Sequence, residues 1–183
     1  MDIHTPSMTP SWFALQTRYR YEEKIATELE AKGIESYLPR LREVHQWKDR
    51  KKAIAVPAFC GYVFVRFTPS MQNRVRVLET AGAVKLLGNH GRPEPVPEEE
   101  IESLRLALES GAPCDRHPLA EPGMRVKVRQ GMLAGLEGQV VRVANQLRIL
   151  VNVASVHQAI AVEVSMADLD LIASPAAIYG MAS

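Results

Sequence analysis

The chain has 183 residues, enough for one domain or two small ones, and 46% of them are hydrophobic, as in a globular protein. Its formal net charge at pH 7 is +1, so no overall excess of basic residues indicates a nucleic-acid-binding protein. The two cysteines, Cys60 and Cys114, have no metal-ligand spacing and predict neither a metal site nor a disulfide framework. No apolar signal core opens the chain and no window of about 18 apolar residues occurs, so we expect a cytoplasmic protein.

Short strands and helices alternate in the first part of the chain, after a lead at residues 1–11 that we expect to be disordered. Apolar runs and turn residues predict strands over residues 12–17, 34–38, 53–56, 59–67 and 83–87. Helical spacing predicts helices over residues 21–32, over residues 70–78 and from Pro97 onwards. The second helix has Met71, Val75 and Leu78 on one side, and the third has a stripe of Ile101, Leu104 and Leu108.

The strand at residues 59–67 has two largely apolar faces. Alternation places Tyr62, Phe64 and Arg66 on one face and Val63, Val65 and Phe67 on the other. Helices of the same domain can cover one face. The aromatic face can meet a partner, or both faces can belong to the core.

A basic segment at residues 40–52 contains six basic residues and two acidic ones, with Trp47 among them. Strands on either side predict a projecting hairpin or loop. The segment can be a solvated loop, or its cations and tryptophan can contact nucleic acid by phosphate pairing and stacking.

Residues 111–121 have the composition of a linker, with Gly111, Pro113 and Pro118. Residues 122–172 alternate as five short strands, which predicts a small closed barrel. Leu133 and Leu136 lie on a glycine-punctuated loop and can either be exposed for docking or plug the barrel. We therefore predict a domain at 12–110, a linker at 111–121, a barrel at 122–172 and a disordered tail at 173–183.

Four motifs in this order resemble the NusG family of bacterial transcription elongation and antitermination factors. Residues 12–17 resemble the family's opening strand, and residues 59–65 its Phe-Pro-Gly-Tyr strand, with Cys60 in place of the proline. Residues 80–88 resemble its Thr-x-Gly-Val strand and turn, and residues 122–140 resemble the KOW motif. The resemblance implies an α+β fold: an amino-terminal, ferredoxin-like antiparallel sheet flanked by helices, followed by a KOW (SH3-like) β-barrel. Residues 33–39 and 47–52 are most similar to the specialised UpxY and RfaH-type paralogues.

The resemblance also implies partners and contact residues. Phe59, Tyr62 and Phe64 would bind the clamp helices of the RNA polymerase β′ subunit, and Asn73 and Arg74 occupy the position of a β-subunit contact. Arg18 falls on a lysine that contacts non-template DNA. With the basic turn and hairpin, the predicted contacts to non-template DNA or nascent RNA are Arg18, Arg20, Arg42, Lys48, Arg50, Lys51 and Lys52.

In the family, the KOW loop recruits either the Rho terminator or ribosomal protein S ten. The matching positions here are Gly131, Leu133, Gly135, Leu136 and Gly138. The prediction includes no cofactor, no metal and no membrane partner, and a monomeric state. We expect the second domain to stay a barrel, because its strands are β-branched and alternate.

Two other classes of function were weighed against an antitermination factor. An RNA-binding KOW module acting on leader or ribosomal RNA without polymerase would use residues 40–52, although the near-neutral total charge argues against it. An enzyme is not predicted, because none of the five histidines has a nucleophile or carboxylate at a recognisable spacing.

Overall fold

The computed structural model describes residues 9–46, 51–118, 125–143 and 146–172. Contacts between residues divide the chain into two compact units, Met1–Ile101 and Glu102–Ser183. Within these residues the fold is mixed, with three α-helices and antiparallel sheets. No helix within the described ranges is long and apolar enough to cross a membrane.

The first unit contains a sheet built on its opening strand. The elements are β1 (Ser11–Thr17), α1 (Glu22–Ala31), β2 (Glu35–Tyr37), β3 (Arg40–Gln46), β4 (Lys51–Pro57), β5 (Tyr62–Phe67), α2 (Met71–Leu78), β6 (Ala83–Leu86), β7 (Gly88–Asn89), β8 (Arg92–Pro93) and β9 (Pro95–Val96). The sheet order is β2-β5-β1-β6, and β9 also pairs with β1. Because β1 and β5 are the central strands, their apolar residues are buried on both faces.

One face of this sheet packs against the first two helices. Phe13 lies opposite Val65 in the antiparallel register, and the Phe13 and Phe67 ring centroids are 4.7 Å apart. Apolar side chains from both strands and both helices form a single cluster: Phe13, Leu15, Ile25, Ala26, Leu29, Ile34, Leu38, Val63, Val65, Phe67 and Val77. This cluster is the core that the apolar face of residues 59–67 predicts.

The end of α1 is set by Gly33, as its position in the sequence predicts. Gly33 has φ +70, and its N–H donates to the carbonyl of Glu30 at 2.9 Å. The Ile34 N–H donates to the carbonyl of Leu29 at 2.9 Å. These two bonds form a Schellman motif, which satisfies helix carbonyls and turns the chain into β2.

The α2 helix begins where Ser70 accepts a hydrogen bond from the Asn73 N–H at 3.1 Å, as an N-cap does. The side formed by Met71, Val75 and Leu78 faces solvent, with Met71 72% exposed, whereas Val77 is buried. Helical spacing thus identified a shared side but did not tell whether that side packs inward.

The basic segment forms part of a two-stranded hairpin; a hairpin or a loop was predicted from the sequence. Strands β3 and β4 pair from Arg40 opposite Pro57 to Gln46 opposite Lys51, in a sheet of their own. Residues 47–50 between them lie outside the described ranges. At the base of the hairpin, the Arg40 Nε donates to Glu23 of α1 at 3.0 Å, and this bond lowers the pKa of the Glu23 carboxyl.

The α3 helix (Glu98–Glu109) contains the division between the two units. Glu98, Glu99 and Glu100 occupy its first turn, where the helix dipole favours acids. Ile101, Leu104 and Ala107 are fully buried, while Leu108, predicted to complete the stripe, is half-buried. The stripe therefore continues through Ala107 rather than Leu108.

The second unit contains a six-stranded antiparallel sheet in the order β10-β14-β13-β12-β11-β15. Its strands are β10 (Cys114–Pro118), β11 (Arg125–Val128), β12 (Glu137–Val143), β13 (Gln146–Val153), β14 (Gln158–Glu163) and β15 (Leu169–Leu171). In β11, the buried Val126 and Val128 alternate with the exposed Arg125 and Lys127, as predicted. In β13 and β14, consecutive residues such as Ile149 with Leu150 are buried, so the predicted alternation is wrong there.

Part of the predicted linker is a strand. Residues 114–118 form β10, which pairs with β14 from Cys114 opposite Val162 onwards. The prolines at 113 and 118 suggested a linker, but β10 lies at the sheet edge, where a missing N–H donor is tolerated. The linker prediction was therefore wrong at residues 114–118. Residues 119–121 lie outside the described ranges, and the predicted domain boundary remains a prediction.

Candidate functional site

The second face of the first sheet carries the predicted aromatic residues. Tyr62, Phe64 and Arg66 lie opposite Gln16, Ala14 and Trp12 of β1, as strand alternation predicts. Phe59 precedes the strand and contacts Phe64 edge to face, with 6.2 Å between ring centroids. Tyr37 of β2 stacks on Phe64, with 6.4 Å between ring centroids. We name Tyr37, Phe59, Tyr62 and Phe64 the aromatic cluster.

Two of the three predicted clamp contacts are inaccessible in this structure. Phe59 and Phe64 are 1% and 0% exposed, because each packs against the other. Tyr62 and Tyr37 are half-buried and present the accessible part of the cluster. Phe59 and Phe64 therefore offer almost no side-chain surface in this structure, and their contact with polymerase stays a prediction. Tyr37 was missed as a site residue, because only its pairing opposite Phe64 places it at this face.

Arg66, at the end of this face, has internal partners. Its guanidinium lies 3.5 Å from a carboxylate oxygen of Glu35 and 3.6 Å from one of Glu98. It also lies over the Trp12 ring at 5.9 Å, and the Trp12 indole N–H donates to Glu98 at 3.1 Å. These contacts join β1, β5 and the start of α3, so the charge at this end is largely compensated.

The predicted β-subunit contacts are bound within the first unit. The Asn73 side-chain amide donates to the Thr68 carbonyl at 3.0 Å, and the Arg74 guanidinium donates to the Gly91 carbonyl at 3.0 Å. Both side chains are half-buried. These bonds hold α2 and the β7–β8 hairpin in place. The exposed side chains of this helix include the apolar Met71, Val75 and Leu78.

The predicted nucleic-acid contacts lie in two exposed places. Arg18 and Arg20 are exposed in the turn between β1 and α1, and Arg42, Lys51 and Lys52 are exposed on the hairpin. Lys48, Arg50 and the neighbouring Trp47 lie outside the described ranges. Pairing in the hairpin places Arg42 opposite Ala55 and Lys51 opposite Gln46, so small or polar residues surround these cations.

The glycine loop of the second unit turns its leucines inward. Leu133 and Leu136 are 8% and 1% exposed, so the docking alternative is wrong and they plug the interior. Gly131 and Gly135 have positive φ, which reverses the chain around them. Met132 is 73% exposed, and it borders a groove of about 140 Å³. Met132 was not predicted as a site residue, because the sequence does not show that Met132 is exposed while the neighbouring Leu133 is buried.

Gly138, the last predicted residue of this loop, lies inside β12 and has a packing role. A Cβ at this position would lie 2.4 Å from the Leu150 carbonyl oxygen and 2.5 Å from the Ile149 side chain. The glycine therefore allows β12 and β13 to approach each other, and its predicted role in partner binding stays a prediction.

Comparison with known proteins identifies a family. A family model described as transcription termination factor nusG matches residues 10–105, just over half of the chain. The chain is 26% identical over 159 residues to the transcription termination/antitermination protein NusG of Streptococcus pyogenes serotype M3, covering 80% of this chain and 88% of that protein. It is 24% identical over 163 residues to the protein of the same name from Halalkalibacterium halodurans, covering 79% and 90%.

The fold is also similar to a solved structure. The structure "Domain interaction in Thermotoga maritima NusG" matches with a TM-score of 0.53 and 19% identity, covering 91% of this chain and 99% of that chain. At this identity, the likeness concerns the fold.

Proposed function

The chain belongs to the NusG family of transcription termination and antitermination proteins, and from this we propose that it binds transcribing RNA polymerase and suppresses pausing and termination. The aromatic cluster carries the proposal. It combines two buried rings with the half-exposed Tyr37 and Tyr62, which is the arrangement of a preformed docking surface for an amphipathic helix.

In this proposal the clamp helices of the polymerase β′ subunit contact Tyr37 and Tyr62. The buried Phe64 packs against both Tyr37 and Phe59, so this part of the surface is already ordered before binding. Aromatic side chains on a rigid base are typical energetic anchors of protein interfaces.

The β-subunit contact is assigned to the exposed side of α2. Asn73 and Arg74 have internal hydrogen-bond partners, whereas Met71 and Val75 are exposed on the same helix. A methionine and a valine can pack against an apolar loop of the β subunit. Contact on both sides of the cleft would discourage clamp opening, as the family resemblance implies.

The exposed basic residues of the turn and hairpin would contact non-template DNA or nascent RNA. Arg18, Arg20, Arg42, Lys51 and Lys52 are all exposed and can pair with phosphates.

In the second unit, we interpret the six-stranded sheet as the KOW barrel. Its loop would recruit Rho or ribosomal protein S ten through the exposed Met132, since Leu133 and Leu136 are buried.

Binding of the purified full chain to core RNA polymerase tests this proposal. We expect co-elution with core polymerase in gel filtration, and competition by an excess of a peptide hairpin containing the clamp helices. Absence of a complex, together with tight and salt-sensitive binding to RNA alone, would instead support an RNA-binding module that works without polymerase.

A further inference from the structure

The turn between β1 and α1 presents a tyrosine between two arginines. Tyr19 is 70% exposed, and Arg18 and Arg20 on either side are also exposed. The Arg20 guanidinium lies over the Tyr19 ring, 5.4 Å from its centroid. Single exposed aromatic residues are common on protein surfaces, so the surroundings decide whether this one has a role.

The turn is held rigidly by backbone hydrogen bonds. The Arg18 N–H donates to the Gly82 carbonyl at 2.8 Å, and the Tyr21 N–H donates to the Arg18 carbonyl at 3.1 Å. Arg20 adopts φ +64, a left-handed conformation that is uncommon for residues other than glycine. An ordered turn of this kind loses little conformational entropy when Tyr19 binds a ligand.

Gly82 makes this fixed geometry possible. A Cβ at Gly82 would lie 2.3 Å from the Tyr21 ring, so only glycine allows Tyr21 to pack beneath the turn. Tyr21 is half-buried against the core cluster, whereas Tyr19 points to solvent. Two tyrosines two residues apart therefore have different roles, one as a structural anchor and the other as an exposed ring.

Acidic residues near the turn are engaged elsewhere. The Glu22 carboxylate accepts from the Gly61 N–H at 2.6 Å, and Glu23 pairs with Arg40 of the hairpin. Arg18 and Arg20 form no ion pair with any residue in the described part of the chain. The turn therefore keeps its two positive charges available for an anionic ligand.

We propose that Tyr19 is a stacking platform for an unpaired base of single-stranded nucleic acid, with Arg18 and Arg20 binding the flanking phosphates. This deepens the proposed nucleic-acid contact and rests on it. A ring with cations on both sides is the combination that single-strand binding uses, because every base has a face that can stack and every nucleotide has a phosphate. The guanidinium of Arg20 covers one face of the ring, and a base would occupy the other.

Fluorescence anisotropy with the full chain tests the assignment without polymerase. The probes are labelled 12-nucleotide single strands of DNA and of RNA, and a duplex of the same sequence. The variants are Tyr19→Ala and Tyr19→Phe, and the matched control is Met166→Ala, which alters a 74% exposed side chain in the second unit. Thermal unfolding of each variant confirms that the fold is kept.

We expect Tyr19→Ala to weaken single-strand binding by about tenfold, since stacking of one base contributes roughly 1–3 kcal/mol. Tyr19→Phe and Met166→Ala should bind within about twofold of the unchanged chain, because neither removes the stacking ring. Preference for the DNA or for the RNA strand identifies the source of the base.

Salt dependence separates stacking from charge. Tyr19→Ala should leave the slope of log affinity against log salt unchanged, whereas Arg18→Gln should lower it by about 0.7, the value for one phosphate contact in a single strand. Two results with the variants would overturn the assignment: unchanged affinity of Tyr19→Ala, or equal losses of affinity in Tyr19→Ala and Tyr19→Phe. Two results with the unchanged chain would also overturn it: preference for the duplex, or no binding to single strands at about 10⁻⁴ M protein. Because polymerase is absent, these outcomes are independent of whether the chain binds polymerase.

Discussion

Burial gives the residues of the aromatic cluster different roles. Phe64 is fully buried, and its loss would leave a cavity that costs about 3–5 kcal/mol of folding free energy. A Phe64 variant would therefore report on the fold before it reports on any partner. Tyr62 is half-buried at the edge of the same cluster, so its side chain can be changed with less effect on the core.

Replacing Tyr62 by Ala should weaken binding to core polymerase by about 2 kcal/mol, or roughly 30-fold in Kd, if Tyr62 is an interface anchor. The affinity can be measured by biolayer interferometry with immobilised polymerase. Leu171→Ala is the control, because Leu171 is 74% exposed on the second sheet, and it should bind as the unchanged chain does. Equal affinities for all three proteins would show that this face does not bind polymerase.

The two cysteines should differ sharply in reactivity. Burial, followed by the nearby Asp115 carboxylate, raises the pKa of the Cys114 thiol to about 11, whereas Cys60 is exposed. Only the thiolate reacts, and at pH 8 the raised pKa keeps Cys114 protonated. Mass spectrometry of the folded chain after maleimide treatment at pH 8 should find one label, at Cys60, and Cys60→Ser should remove it. Equal labelling of both thiols would show that Cys114 is accessible.

The β3–β4 hairpin is the element that best separates the two proposed binding activities. Its exposed side carries Arg42 and Lys51, while its base is tied to α1 by the pair of Arg40 and Glu23. Since it forms a sheet of its own, its exposed charges can change without disturbing the aromatic cluster. A projecting hairpin or loop was predicted here from the sequence, but strand β3 was missed: residues 40–46 were assigned to the connection, and the predicted strand at 34–38 pairs with β5 instead of β4.

Changing Lys51 and Lys52 to Gln should weaken binding to nucleic acid but leave polymerase affinity nearly intact. The slope of log affinity against log salt should fall by roughly 0.7–0.9 for each phosphate contact that is lost. The control is the double change Arg125→Gln and Lys127→Gln, which removes the same charge from the second sheet. Loss of polymerase binding from the hairpin variant would contradict the separation of the two activities.

Elements were predicted well where a local signal fixes them, and less well where the neighbours decide. The Ser70 cap and the Gly33 stop gave the ends of helices to within a residue or two. The exposure of Met71 and the burial of Leu133 could not be predicted, because periodicity shows that residues share a side but not what covers it. Strand β10 was missed for a related reason. It lies at the sheet edge, where a proline without an N–H donor is tolerated, and the sequence does not show which strand is at the edge.

At the scale of the molecule, the sheet built on β1 and the six-stranded sheet belong to different units, and each has its own buried residues. The order of four motifs identified the family from the sequence, because each motif corresponds to a local structure at a fixed place in the chain. The accessible part of the candidate site could not be predicted in the same way. It depends on Phe59 folding onto Phe64 across a turn, and the sequence pattern contains no signal for that contact.

Ending the chain after Gly111 should leave a folded first unit. All six strands of the second sheet, from Cys114 onwards, would be absent, while α3 is complete at Glu109. We expect a cooperative thermal transition by circular dichroism and retained binding to core polymerase. Ending the chain after Ile101 is the matched comparison, because contacts between residues divide the two units there. A lower melting temperature for 1–101 than for 1–111 would show that residues 102–109 stabilise the first unit. An insoluble 1–111 product would contradict the predicted boundary.

The most direct test of the proposed function is transcription in vitro by purified core polymerase, on a template that has a pause site and a Rho-dependent terminator. Readthrough and pause lifetimes are measured with and without the full chain, and with Tyr62→Ala as the variant that should be impaired. We predict increased readthrough and shorter pauses, both reduced by Tyr62→Ala. Increased Rho-dependent stopping, or no change despite polymerase binding, would contradict a role in suppressing termination.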